Sequence, residues 1–338
     1  MVRIVDARIE AWPLAKPFVI SRGAKTEARV VVVEVADDAG HVGRGEAVPY
    51  ARYGETPEDA VAVLQHLAAT MPTLASDAGV SPGPFTQTIC ADLPPGAARN
   101  ALDCALWDLA AKRSGVRAHV LAGVDVLAPV VTCYTLSLDT PDAMARAARD
   151  AAGLPLLKLK LGGGPDDAQR LRAVRAARPD ARLVADANEA WGEHEIVELV
   201  AVAAEAGFEL IEQPLPAGAD ASLADFAHAV PICADESCHL AADLPAIAGR
   251  YEAINIKLDK AGGLTHALDL AKAARTAGLH IMVGSMVATS LAVAPALILA
   301  QGADWVDLDG PLLVARDRPG GIVIRNGVIE PPRPELWG

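Results

Sequence analysis

Five charged residues recur through the middle of this chain at a nearly constant spacing. Lys160, Asp186, Glu212, Asp235 and Lys257 are separated by 26, 26, 23 and 22 residues, and each lies at or near the end of a short apolar run. Apolar runs that alternate with helical segments at such intervals are typical of a β/α repeat. In a closed eight-stranded repeat the carboxyl ends of the strands meet at one mouth, so we expect these side chains to lie close together.

The apolar runs predict a TIM-type (β/α) barrel over residues 116–315, which is an α/β fold. The eight predicted strands are Val130–Leu136, Leu156–Leu161, Arg182–Ala187, Phe208–Gln213, Pro231–Asp235, Ala253–Leu258, His280–Ser285 and Trp305–Asp309. Residues 1–115 carry strand and helix patterns of their own and predict an N-terminal α+β capping domain with a three-stranded sheet. The segment 316–338 contains Asn326-Gly327 between alternating apolar residues, which predicts a hairpin. We expect this C-terminal segment, 316–338, to lie outside the barrel and to pack back on the capping domain.

Composition and charge exclude several classes of function. The net charge is −13, which argues against a nucleic-acid surface because phosphate binding needs clustered Lys and Arg. The N-terminus has no apolar stretch typical of a signal peptide, and the longest apolar segments are broken by Gly, Ser and Pro, which argues against a membrane span. The 5 cysteines include no CxxC pair, so we expect reduced thiols and a cytoplasmic location. Self-association as a homo-oligomer is left open.

Three carboxylates on consecutive strand ends predict a metal site. Asp186, Glu212 and Asp235 would repel one another at the mouth unless a cation lay among them. Oxygen ligands favour a hard ion, which is Mg²⁺ or, as the alternative, Mn²⁺. Each acid taken alone could equally be a helix N-cap or a surface ion-pair partner. Their placement on three consecutive strands favours the metal site.

Two lysines face each other across this arc of acids. Lys160 ends the second strand and Lys257 ends the sixth, so strand counting places them on opposite sides of the ring. Lys158 shares a strand face with Lys160 because side chains two residues apart point the same way. Burial and a nearby cation would both lower a lysine pKa, so we expect an amine that acts as a base. With a cation and Lys158 holding a substrate carboxylate, two opposed amines indicate racemisation or epimerisation.

The chain resembles the enolase superfamily, in its muconate-lactonising-enzyme-like branch, and most closely the L-Ala-D/L-Glu (dipeptide) epimerases. The stretches that carry the resemblance span both predicted domains and include KPFVISRGAKTEARVVVVEV, GAARNALDCALWDLAAKRSG, KLKLG, VADANEAW, IEQPLP, PICADESCH, GRYEAINIKLDKAGGLT and DLDGP. The resemblance implies Mg²⁺ bound by the three carboxylates and two-base proton transfer by Lys160 and Lys257. It also implies that Asp307 and Asp309 bind the α-ammonium of a dipeptide. Of the two lysines near the sixth strand, Lys257 aligns with the family base, and Lys260 is expected to face a helix or solvent.

Other positions are predicted to shape the substrate pocket. A loop of the first domain carries Arg22 and Lys25, two cations that could pair with a glutamate side chain, although solvated loop charges are the alternative. Further pocket candidates at or just past strand ends one and seven are Thr135, Ser285 and Val287. Asn188 and Glu236 are expected to support the metal ligands without contacting the ion.

Two other functions remain open from the sequence. An o-succinylbenzoate synthase or an N-acylamino-acid racemase of the same superfamily would share the lysines but would act on a substrate that lacks a free ammonium. A non-catalytic barrel that binds a small acid is the alternative from a different class, because fold alone does not establish catalysis. The leading interpretation is an isomerase of the dipeptide epimerase class, acting on L-Ala-L/D-Glu in murein peptide recycling.

Overall fold

The first domain is built on a three-stranded antiparallel sheet. The structure is a computed structural model, and it describes residues 1–71, 86, 89, 90 and 92–338. The sheet has the order β1 (Val2–Ile20), β2 (Gly23–Asp37), β3 (Val42–Ala47). Helices α1 (Pro57–Thr70) and α2 (Ala97–Ser114) pack against this sheet. Helix α1 begins at a capped first turn, in which the Thr56 side chain accepts a hydrogen bond from the Asp59 backbone N–H and Pro57 occupies the first helical position.

Helix α2 lies directly on strand β3 because two glycines leave room for its backbone. A Cβ atom on Gly43 would lie 2.1 Å from the Ala105 carbonyl oxygen, and one on Gly45 would lie 2.0 Å from the Ala101 carbonyl oxygen. The opposite side of α2 contacts the barrel, where the indole of Trp107 donates a hydrogen bond to the Thr265 hydroxyl at 2.9 Å. The helix is therefore enclosed by both domains.

This close packing makes Gly45→Ala a stability test. The added methyl group cannot fit without moving the helix backbone, so we expect a loss of about 1–3 kcal/mol of folding free energy and a lower melting temperature. Gly302→Ala is the matched control, since a Cβ there would meet nothing closer than the Leu299 carbonyl oxygen at 4.0 Å. Thermal unfolding followed by circular dichroism measures both. Equal melting temperatures for the two variants would contradict the close approach of α2 to β3.

The second domain is an eight-stranded parallel sheet that closes into a barrel. Its strands follow in chain order as β5 (Tyr134–Leu136), β6 (Leu156–Lys160), β7 (Arg182–Asp186), β8 (Leu210–Glu212), β9 (Ile232–Ala234), β10 (Ala253–Lys257), β11 (His280–Gly284) and β12 (Trp305–Asp307). The Cys133 backbone N–H donates to the Val306 carbonyl oxygen at 2.7 Å, which joins the first and last strands. The predicted barrel with an N-terminal capping domain is confirmed.

Helices surround the barrel on the outside. In chain order they are α3 (Ala118–Leu121), α4 (Pro141–Asp150), α5 (Asp166–Ala177), α6 (Ile196–Glu205), α7 (Leu244–Ile247), α8 (Leu258–Ala261), α9 (Leu264–Thr276), α10 (Ser290–Ala300) and α11 (Gly310–Leu313). Short 3₁₀ turns occur at Ala51–Tyr53, Ala221–Asp225 and Ala241–Asp243. Among the residues that the structure describes, no helix combines the length and apolar character that crossing a bilayer would require.

The C-terminal hairpin has a different partner from the one expected. Strands β13 (Ile324–Arg325) and β14 (Val328–Ile329) form the hairpin, and β14 pairs with β4 (Val130–Val131). The hairpin therefore adds to the start of the predicted first barrel strand, which is split and offers a free edge, and not to the sheet of the first domain. The last residues do reach the first domain, where the Gly338 backbone N–H donates to Asp108 at 2.8 Å. The boundaries at 115 and 315 stay predictions.

Buried carboxylates fasten the two domains together. Asp259 of the barrel accepts hydrogen bonds from the Val48 backbone N–H at 2.9 Å and from the Asn100 side chain at 2.8 Å. Glu46 of the first domain accepts from the Thr289 backbone N–H at 2.8 Å, at the start of α10. These contacts fix the first domain over the carboxyl ends of the barrel strands.

Candidate active site

Charged side chains converge at the carboxyl ends of the barrel strands. Lys160, Asp186 and Glu212 are the last residues of β6, β7 and β8, and the strand register places Lys160 opposite Asp186 and Asp186 opposite Glu212. Asp235 follows β9 directly, and Lys257 is the last residue of β10. All five side chains are buried. The regular spacing in the sequence thus places these five charged side chains in one layer at the mouth of the barrel.

Lys158 lies at the centre of this layer. Its ammonium is 2.5 Å from Oε2 of Glu212, 2.6 Å from Oδ2 of Asp307 and 3.1 Å from Oδ2 of Asp186. The residue is 1% exposed. A buried ammonium is tolerated here because three carboxylates surround it, and it links the acids of β7 and β8 to the acid of β12 on the far side of the ring.

Each of the two opposed lysines pairs with a different carboxylate. Lys160 lies 2.5 Å from Oδ2 of Asp186, and Lys257 lies 2.6 Å from Oδ2 of Asp235. Strands β6 and β10 are four positions apart in the sheet order, so the two ammonium groups approach the centre from opposite sides.

Without a cation, the protein's own carboxylates raise the pKa of two lysines at the mouth, Lys158 and Lys257. Burial alone would lower the pKa of Lys257, but Asp235 and Glu212 outweigh burial and raise it. At Lys158 burial is likewise outweighed, by Asp307, Glu212 and Asp186, and its pKa is also raised. These shifts describe the site without a cation, so the lowered lysine pKa beside a bound cation stays a prediction.

The chemistry of the acids nevertheless fits a hard cation. Oε2 of Glu212 is buried and accepts no hydrogen bond from the described residues, although the Lys158 ammonium lies 2.5 Å from it. Among the described residues, no three His, Cys, Asp or Glu side chains already lie around one point as metal ligands would. Three buried carboxylates on adjacent strand ends supply the oxygen donors that Mg²⁺ prefers.

Asp307 and Asp309 form a second acidic group on the other side of the mouth. Asp307 ends β12, and its Oδ1 atom is buried and accepts no hydrogen bond from the described residues. Asp309 accepts a hydrogen bond from the Thr135 backbone N–H at 2.7 Å. Burial first, and then the neighbouring Asp307, raise the pKa of Asp309 to about 7. A cationic group of a ligand would relieve the repulsion between these two acids.

The turn between β1 and β2 covers the mouth, and Arg22 fastens it to the barrel. The guanidinium of Arg22 donates to Oε1 of Glu236 at 2.7 Å, to the Asn188 carbonyl oxygen at 2.9 Å and to the Tyr50 hydroxyl at 3.0 Å. The Lys25 ammonium lies 4.9 Å from the centre of the Tyr50 ring. Arg22 is therefore occupied by the protein's own acceptors, whereas Lys25 lies at the rim of the cavity.

One cavity of about 820 Å³ joins the two domains at this mouth. The predicted site residues that line it are Arg22, Lys25, Thr135, Lys158, Lys160, Asn188, Asp235, Glu236, Lys257, Ser285, Val287, Asp307 and Asp309. Asp186 and Glu212 do not line it, and both are fully buried. The cavity is large enough for a small peptide.

Family models match most of the chain. The model for the mandelate racemase / muconate lactonizing enzyme N-terminal domain matches residues 3–123, and the enolase C-terminal domain-like model matches residues 142–335. The chain belongs to the enolase superfamily. The resemblance read from the motifs is thereby confirmed.

Curated members of the superfamily match along nearly the whole chain. The L-Ala-D/L-Glu epimerase of Escherichia coli K12 is 46% identical over 94% of this chain and 96% of its own length. An N-acetyl-D-glutamate racemase from a Pseudoalteromonas species is 43% identical over 91% of this chain and 95% of its own length.

Solved structures of superfamily members agree with the fold. A protein from Agrobacterium tumefaciens with homology to dipeptide epimerases, crystallised with sodium and L-Ala-L-Glu and with an ordered loop, is 48% identical with a TM-score of 0.94 over 100% of both chains. A dipeptide epimerase from Cytophaga hutchinsonii, complexed with Mg and D-Ala-L-Val, is 28% identical with a TM-score of 0.91 over 98% of this chain and 94% of its own.

Two residues of this enolase-superfamily site were not predicted from the sequence. Lys260 is 2% exposed and its ammonium lies 2.8 Å from Oδ1 of Asp235, so the expectation that it faces a helix or solvent is wrong. Asn255 is 1% exposed and donates to Oε1 of Glu212 at 2.8 Å. Asn255 stands two residues before Lys257 on the same strand face, and this alternation could have identified it.

Proposed function

We propose that this enolase-superfamily chain is a Mg²⁺-dependent dipeptide epimerase that inverts the α-carbon of the C-terminal residue in L-Ala-L-Glu and L-Ala-D-Glu. The observation that carries the proposal is the pair of buried lysines, Lys160 and Lys257, at the ends of opposite strands of one ring. Two amines on opposite faces of a bound α-carbon are what an inversion by proton transfer requires. The full-length match to an L-Ala-D/L-Glu epimerase supports the substrate class.

The residues divide the reaction between them. Asp186, Glu212 and Asp235 would hold the cation, which when bound supplies positive charge at the substrate carboxylate. Lys158 adds a second positive charge beside it. One of the two lysines, Lys160 or Lys257, removes the α-proton, and the electrons of the broken C–H bond move into the carboxylate. The other lysine delivers a proton to the opposite face, which restores the carboxylate with inverted configuration.

The second acidic group supports a substrate with a free ammonium. Oδ1 of Asp307 is buried and accepts no hydrogen bond from the described residues, and both Asp307 and Asp309 line the cavity. A dipeptide carries its ammonium one residue before the reacting carbon, so it can reach these acids while its carboxylate lies near Lys158. Lys25 is the cation of the β1–β2 turn that remains for a glutamate side chain, since Arg22 is bonded to Glu236. Murein peptide recycling in the cytoplasm would supply such dipeptides.

Deuterium uptake tests the proposal directly. The full-length protein is incubated with L-Ala-D-Glu and MgCl₂ in deuterium oxide, and the products are followed by proton NMR and chiral chromatography. We expect the L-Ala-L-Glu epimer to form with deuterium at the glutamate α-carbon. Neither epimer nor deuterium appearing would contradict the proposal, and binding without exchange would favour the non-catalytic barrel.

An N-acylamino-acid racemase is the second candidate, because the N-acetyl-D-glutamate racemase is 43% identical to this chain. Its substrate lacks an ammonium, as does that of an o-succinylbenzoate synthase. Asp307→Asn distinguishes the candidates when both substrates are assayed, because its effect on Lys158, 2.6 Å away, is common to both reactions. Loss of a buried charge partner costs about 2–5 kcal/mol, so kcat/KM for L-Ala-D-Glu should fall at least about 30-fold.

The control for this substitution lies directly before the same strand. Asp304→Asn changes an acid at the opposite end of β12, where Asp304 pairs with Arg275 at 2.8 Å, and should leave kcat/KM unchanged. If wild-type activity is higher with N-acetyl-glutamate and Asp307→Asn retains it, the racemase is the correct assignment.

A further inference from the structure

Each of the three acids at the mouth has one oxygen fixed by a donor that does not face the substrate. Oδ1 of Asp186 accepts from the Asn188 backbone N–H at 2.9 Å, Oε1 of Glu212 from the Asn255 side chain at 2.8 Å, and Oδ1 of Asp235 pairs with Lys260 at 2.8 Å. The second oxygen of each acid is the one nearest to Lys158, Lys160 or Lys257. The carboxylates are therefore held from behind in one common orientation.

Lys260 is held too firmly to serve as a mobile acid or base. Its ammonium donates to the carbonyl oxygens of Asp235 at 2.5 Å, of Cys238 at 2.9 Å and of Asn255 at 2.9 Å. Together with Oδ1 of Asp235 these acceptors surround the buried charge. Helix α8 begins directly after β10 and carries Lys260 back toward the turn after β9. Lys260 thus fixes both the main chain and the side chain of Asp235.

Asn255 occupies a space that the neighbouring strand keeps open for it. The strand register places Lys257 opposite Gly284, and a Cβ atom on Gly284 would lie 2.7 Å from Oδ1 and 2.8 Å from Nδ2 of Asn255. The glycine therefore leaves the space that the Asn255 amide occupies beside Glu212. The Lys257 ammonium lies 3.9 Å from the same Oε1 atom, which is beyond hydrogen-bond distance.

We infer that Asn255 and Lys260 are positioning residues that orient Glu212 and Asp235 for the cation, by fixing one oxygen of each so that the other points toward the mouth. The inference rests on the proposed function, which places Mg²⁺ at these acids. It assigns a role to two residues that touch neither the substrate nor the reacting atoms. Residues that orient metal ligands in this way typically contribute 10- to 100-fold to metal affinity.

The direction in which Lys260→Met changes Mg²⁺ affinity distinguishes a positioning role from a simple charge effect. Removing a positive charge beside three acids would by itself strengthen cation binding, because the repulsion between two cations is lost. Removing an orienting contact weakens binding. Weaker Mg²⁺ binding by Lys260→Met therefore identifies a positioning role, which neither a charge effect nor a role in folding alone would produce.

Calorimetric titration of the full-length protein with MgCl₂ measures the expected change. Asn255→Leu and Lys260→Met should each bind Mg²⁺ about 10- to 100-fold more weakly than the wild type. Lys272→Met, the same replacement at an exposed position of α9, should bind like the wild type. Circular dichroism and melting temperature without Mg²⁺ establish that each variant is folded. Should either fail to fold, Asn255→Ser and Lys260→Gln retain polar groups and carry the same expectation.

The outcomes distinguish this inference from the proposed function. A wild type that binds no Mg²⁺ contradicts the metal-dependent function itself. A wild type that binds Mg²⁺, together with folded variants of equal affinity, overturns the positioning role and leaves the function standing. Tighter binding by Lys260→Met also overturns it, because Lys260 would then act by charge alone.

Discussion

Replacing Lys160 with methionine should reduce the epimerisation of L-Ala-D-Glu by about 100- to 10,000-fold, and Lys257→Met should do the same. A positioned general acid or base contributes about that much to a rate. Methionine has nearly the length of lysine but can neither accept nor donate a proton. Both lysines are needed for inversion, since a proton must leave one face of the carbon and another must arrive on the opposite face.

The two variants should differ in the proton exchange that survives. With one lysine lost, the other can still remove a proton from the epimer it faces and return deuterium to the same face. Each variant should therefore exchange the α-proton of one epimer only, and the two variants should show opposite preferences. Proton NMR in deuterium oxide measures this, with Lys272→Met as the control. Exchange of both epimers by either single variant would contradict the assignment of the two bases.

Glu212→Gln should remove the Mg²⁺-dependent stabilisation of the protein and its activity together. Glu212 is fully buried between Lys158 and Asn255 and is one of the three proposed ligands. A ligand that binds only the folded form at 100 times its Kd adds about 2.7 kcal/mol of stability. The wild type should therefore melt at a higher temperature when Mg²⁺ is added, and the variant should not.

The control for Glu212→Gln is the same change at an exposed position. Glu205→Gln lies on the outer helix α6, where the carboxylate is 3.8 Å from Arg172 and both side chains are largely exposed. Its melting temperature should rise with Mg²⁺ as that of the wild type does. A Mg²⁺-dependent rise that persists in Glu212→Gln would place the ion elsewhere.

The sequence predicted those parts of the site that depend on strand counting. Lys160, Asp186, Glu212 and Lys257 end their strands as expected, because the apolar runs are separated by segments of nearly constant length. Strand ends of a closed parallel sheet share one side, so the spacing alone brought the lysines and acids together. The roles of these residues stay predictions until the substitutions are made.

What the sequence did not reveal depends on the path of the chain after each strand. Lys260 was expected to face a helix or solvent, because nothing in Leu258–Ala261 indicates that this short helix begins at once and turns inward. The direction of the lysine pKa shifts in the site without a cation could not be predicted either, since it depends on how many acids surround each ammonium. The partner of the C-terminal hairpin depends on a free edge at Val130–Val131. The apolar pattern of these residues does not distinguish them from the barrel strand that follows.

The hydrogen bond between Glu46 and the Thr289 backbone bears on how such an enzyme could acquire a new substrate. The loop that contains Ser285 and Val287 lines the cavity and ends where Thr289 is anchored to the first domain. The lysines and acids of the barrel are fixed by other contacts, on β6 to β10. Substitutions in the anchored loop or in the β1–β2 turn can therefore reshape the side-chain pocket while Lys160 and Lys257, the proposed proton-transfer residues, are inherited unchanged.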